Sequence, residues 1–88
     1  MSELDSYLGR VRGLLISVAD RLTPLECAEV EHLIEHGEPA EGMRALAWII
    51  ADGHKKVPVE TVTALRDLTS GLISDEHMPP GLDECIEA

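Results

Sequence analysis

Apolar side chains recur at Leu4, Leu8, Val11, Leu15, Val18 and Leu22, in gaps that alternate four and three. That spacing follows the turn of an α-helix and does not fit the two-residue period of a half-buried strand. Tyr7 and Leu14 widen the stripe, so residues 1–22 are expected to form an amphipathic helix that buries one face. Gly9 and Gly13 sit four residues apart within it, each lowering helix propensity by up to about 1 kcal/mol relative to Ala. Their position on one side is read as a place where a neighbouring helix comes close.

The same period continues, interrupted only by helix punctuation. Thr23-Pro24-Leu25-Glu26 has the form of a capping box with Pro in the first turn. It opens a second helical segment, 23–37, with Leu25, Val30, Leu33 and Ile34 inward and Gly37 as its stop. A third segment, 39–53, carries Met43, Leu46, Ala47 and Ile50 as its stripe, with Ile49 beside it and Gly53 at its end. A short basic connection, His54-Lys55-Lys56, leads to Val57-Pro58 and a fourth segment, 57–73. Its inward residues are expected to be Val59, Val62, Leu65, Leu68 and Leu72. The pattern then dissolves into an acidic tail, 74–88, whose last turn at Leu82–Ile86 is expected to dock weakly or fray.

These segments predict an all-α fold, a small up-and-down bundle of about four helices, in one domain spanning 1–88. With one Trp, one Tyr and no Phe, its core must be aliphatic.

Charge is distributed unevenly. The formal net charge is −10, which argues against free nucleic acid or an anionic membrane surface as partner, since both are bound through Lys and Arg. The first segment is balanced, with Glu3, Asp5 and Asp20 against Arg10, Arg12 and Arg21. Between Thr23 and Gly42, by contrast, Glu26, Glu29, Glu31, Glu35, Glu38 and Glu41 have no Lys or Arg among them. A face of that kind either keeps the protein in solution or steers a basic protein partner.

Little in the chain points to chemistry. His32 and His36 have the helical spacing of two metal ligands, but no Cys-His cluster or His-Glu-x-x-His order completes a zinc site. They are read as partly exposed histidines, and neither metal nor cofactor is expected. Ser17, Ser70 and Ser74 lie in no nucleophile motif, and the seven glycines are scattered singly rather than gathered in a phosphate loop. Cys27 and Cys85 follow no secretory signal and are read as reduced thiols of a cytoplasmic protein. No catalytic residue and no enzyme activity are expected.

Leu33-Ile34-Glu35-His36-Gly37-Glu38, followed by Met43-Arg44-Ala45-Leu46-Ala47-Trp48 and the later Val57-Pro58, resembles the small acidic helical immunity proteins of the MafI type. The resemblance covers roughly residues 22–73. The basic Gly53-His54-Lys55-Lys56 departs from the family pattern, in which an acidic and aromatic stretch follows the third helix. Proteins of this type accompany bacterial polymorphic toxins and contact-dependent inhibition systems. The resemblance implies tight binding of a cognate toxin domain, a nuclease for instance, by occlusion of its basic active-site surface. Glu29, Glu31, Glu35, Glu38 and Glu41 would then stand in for phosphates, with Trp48 either an interface anchor or a core residue. The alternative is a small acidic adaptor or regulatory module, homodimeric through its first helix. The expected state is a monomer or weak dimer.

Overall fold

A computed structural model of the chain describes residues 2–88; Met1, the first position of the expected 1–22 segment, lies outside them. The protein is all-α. Its helices are α1 (Glu3–Val18), α2 (Pro24–Glu35), α3 (Pro39–Asp52) and α4 (Val59–Thr69), with 3₁₀ turns at Ala19–Arg21, Asp75–His77 and Leu82–Cys85. No helix of the described residues is long and apolar enough to cross a membrane.

The helix ends are set by short-range polar bonds. Ser2 Oγ accepts from the Asp5 N–H at 3.1 Å and starts α1. At α2 the capping box closes in both directions: Thr23 Oγ1 accepts from the Glu26 N–H at 3.1 Å, and Glu26 Oε1 accepts from the Thr23 N–H at 2.9 Å. Such a cap satisfies backbone donors that the helix itself cannot, typically stabilising by about 1 kcal/mol. Gly37, at φ +80°, ends α2. The Glu38 N–H donates to Leu33 O at 2.9 Å and the Gly37 N–H to Ile34 O at 3.3 Å, the paired bonds of a glycine helix stop.

α2 and α3 pack antiparallel across this corner. At the near end Gly42 lies against Ile34 and Leu33, where an added Cβ would sit 3.1 Å from Ile34 Cγ1. At the far end Lys55 Nζ, just beyond α3, reaches Glu26 at the start of α2 (3.2 Å). Tyr7 in the first half of α1 donates its hydroxyl to Leu68 O near the end of α4 at 2.6 Å, tying these two helices together. The core joins Val11, Leu14, Leu15 and Val18 of α1 to Val30 and Ile34 of α2, Met43, Leu46, Ala47 and Ile50 of α3, and Val62, Leu65 and Leu68 of α4.

Several expectations are corrected. The last turn does not fray. Leu82 and Cys85 are buried in the core, and the Cys85 thiol lies 3.6 Å from Ile50 O. Val57 opens no helix; it forms a parallel β-bridge with Ile86, receiving the Glu87 N–H at 2.8 Å and donating to Cys85 O at 2.9 Å. Leu25 is 80% exposed, because it precedes Ile34 by two and a half turns and so lies on the opposite side of α2. Leu72 is exposed because α4 has already ended, and Val59 and Leu4, in the first turns of their helices, are exposed too. Gly9 and Gly13 meet no neighbouring helix: an added Cβ would find nothing within 4 Å at either.

Candidate protein-interaction face

The expected acidic residues do not form one surface. Glu29, Glu31 and Glu35 are all exposed on α2, and Glu38 is exposed at the corner, where it precedes Pro39 as the residue flanking the start of α3. None of these four makes an ion pair among the described residues. Glu31 and Glu35, one turn apart, occupy the flank of α2 nearest α1, where they border Arg12 and Ile16. Glu29 falls on the other flank, one turn from Glu26 and its Lys55 partner.

The outermost strip of α2 carries His32 and His36. Their rings stack with centroids 4.0 Å apart. His36 Nδ1 lies 2.8 Å from His32 O; the carbonyl can only accept, so this nitrogen carries the proton. The pair is thus tied to its own helix. Among the described residues no group of three or more His, Cys, Asp or Glu is arranged to hold a metal ion.

Glu41 and Trp48 belong to a different flank. Glu41 pairs with Arg44 at 3.2 Å. Arg44 Nε and Trp48 Nε1 both donate to the main-chain oxygen of His77, at 3.2 and 2.8 Å. These three side chains stand on successive turns of α3, on a flank about 100–160° around the helix from the Gly42 side that meets α2. Trp48 is half-buried and fastens the tail to α3. The acceptor is a backbone carbonyl, so no side-chain pattern announced this clamp.

Glu26 is also committed. The Thr23 N–H bond holds its carboxyl below the usual carboxylate range; partial desolvation opposes this, and Lys55 adds to the lowering. Cations elsewhere are similarly engaged. Arg21 pairs with Glu87 and Arg66 with Asp83, at 3.4 and 2.9 Å, while Lys56 donates to Glu84 O at 2.8 Å. Of the seven Lys and Arg, Arg10, Arg12 and Lys56 make no ion pair among the described residues, and Lys56 is held by its backbone bond alone. A cleft of about 870 Å³ lies between the end of α4 and the tail, with Asp67, Asp75 and Glu76 on its walls beside Arg66. Its guanidinium is already taken by Asp83. Comparison with known proteins finds no matching family model, no similar curated protein and no similar solved structure.

Proposed function

We propose that the protein is an immunity protein that binds a cognate bacterial toxin domain, a nuclease, and covers its basic active-site surface in the cytoplasm. One observation carries this reading. Glu29, Glu31, Glu35 and Glu38 stand exposed without cationic partners, while most of the chain's Lys and Arg are engaged in ion pairs or backbone bonds elsewhere. A nuclease surface must hold phosphates and is therefore basic. Carboxylates spaced along an exposed helix would offer it a substitute for the phosphates, and would speed encounter as well as deepen affinity. The resemblance of residues 22–73 to MafI-type immunity proteins supports the same reading. Glu41 and Trp48, held in the Arg44–His77 clamp, are left out of the proposed contact.

The test is capture of partners by the tagged chain from its native host, repeated with Glu31→Lys combined with Glu35→Lys. The expected result is one basic toxin-like domain in stoichiometric amount, whose association the double variant slows by about tenfold or more with helicity unchanged. Recovery of the chain alone, or of a housekeeping complex indifferent to charge reversal, would favour the adaptor alternative.

A further inference from the structure

The exposed side of α1 and the acidic flank of α2 enclose a groove of about 210 Å³, lined by Arg12, Leu15, Ile16, Glu31, Ile34 and Glu35. Ile34 and Leu15 form its apolar floor, and Ile16 rises at its edge 75% exposed. Gly9, Gly13 and Ile16 follow one another at helical spacings of four and three, which places them on one strip of α1, with Arg12 at its edge. At both glycines the space beyond the backbone is open. At these two positions a second chain can therefore come close to the backbone of α1.

We infer that this groove seats a helix of the basic partner, with its backbone against Gly9 and Gly13. An apolar side chain of that helix packs between Ile16 and Ile34, and Lys or Arg on either side of it meets Glu31 and Glu35. The inference rests on the basic-partner reading above and names the face and the form of the contact. Charge selects the occupant. The rim carries two carboxylates, Glu31 and Glu35, against the single guanidinium of Arg12, and none of the three is in an ion pair among the described residues. The rim is therefore negative in balance, and a basic helix gains complementary contacts along with the buried apolar area. A second copy of this chain would bring the same rim to a two-fold contact, its Glu31 and Glu35 outnumbering its Arg12, so that two faces negative in balance would meet.

The probe is a synthetic amphipathic helix of Leu and Lys, titrated into the whole chain and followed through backbone amide shifts. The comparison peptide has Glu in place of each Lys. The Lys peptide is expected to move the amides of Gly9, Gly13, Ile16, Glu31 and Glu35, and the Glu peptide to move none. Ile16→Asp should weaken binding by about tenfold. Gly13→Leu should also weaken it while raising the unfolding temperature, because the added side chain meets nothing in the free protein. Shifts confined to the tail cleft or the outer strip of α2, or affinity indifferent to Ile16→Asp, would overturn the groove and leave the basic-partner reading standing. Equal binding of both peptides would overturn both. Binding of neither, or self-association of the chain through these same amides, would overturn the groove as the seat of a basic helix.

Discussion

Tyr7 shows how one side chain can join distant parts of a small helical protein. Its hydroxyl bonds to Leu68 O, sixty-one residues away, and burial raises its pKa above 10.0 despite the opposing pull of Arg10. The donor is the neutral phenol. Its contribution is therefore complete below the unfolded-state pKa and is lost as pH rises through the higher folded value. Tyr7→Phe is expected to lower stability at neutral pH by about 0.5–1.5 kcal/mol, the usual range for such a bond. It should also flatten the decline in stability above about pH 10. Urea unfolding of both proteins at neutral and alkaline pH measures each effect. At this scale the strongest signals in the sequence were those whose physics is local. Thr23 and Gly37 act through backbone groups within a few residues, and both stand where their spacing placed them. The carbonyl of His77, which receives both Trp48 and Arg44, has no counterpart in residue type.

Among the elements, the glycines of α1 and α3 reveal which helix faces are covered. Gly42 lies in the α2–α3 contact, where a Cβ would press on the buried Ile34 and approach Val30 O at 3.4 Å. Gly42→Ala is therefore expected to destabilise by up to about 2 kcal/mol, the overpacking cost less the gain in helix propensity. Gly13→Ala meets open space and should stabilise by up to about 1 kcal/mol. Thermal unfolding of the two variants should shift in opposite directions. Helical period located α1 to α4 well, because each stripe spans several turns. It misplaced Val59 and Leu72 because a stripe extended to or past a helix end assumes a neighbour that the bundle does not supply there, and Leu25 because that residue stands off the stripe, on the far side of α2. Ile16 was the available sign of the groove: it is apolar yet stands beside Leu15, outside the four-three stripe. The tail escaped detection for a different reason. Leu82, Cys85 and Ile86 are too few and too closely spaced to carry a period, and they find Ile50 and Val57 more than twenty residues earlier in the chain.

Over the whole molecule, the net charge of −10 would set folding and the proposed association in opposition. Self-repulsion weakens the folded state, whereas the same field would draw in the basic partner proposed above. Raising ionic strength from about 0.01 to 0.15 M shortens the screening length from about 30 to about 8 Å. The free protein is then expected to become more stable in urea while association with the partner slows. Parallel trends in the two measurements would contradict this account of the charge. The ion pairs that hold the tail, Arg66–Asp83 and Arg21–Glu87, are partly exposed and contribute about 0–1 kcal/mol each. The buried Leu82 and Cys85 therefore bear most of its docking.

That docking is visible optically because of where the sole tryptophan lies. The Trp48 indole N–H is bonded to the tail at His77, whereas far-UV ellipticity arises mainly from α1 to α4. If the tail lifts away, the indole exchanges a fixed carbonyl for water and its emission moves to longer wavelength. A change in emission at constant ellipticity is thus the signature of an undocked tail on an intact bundle, recorded without any attached dye.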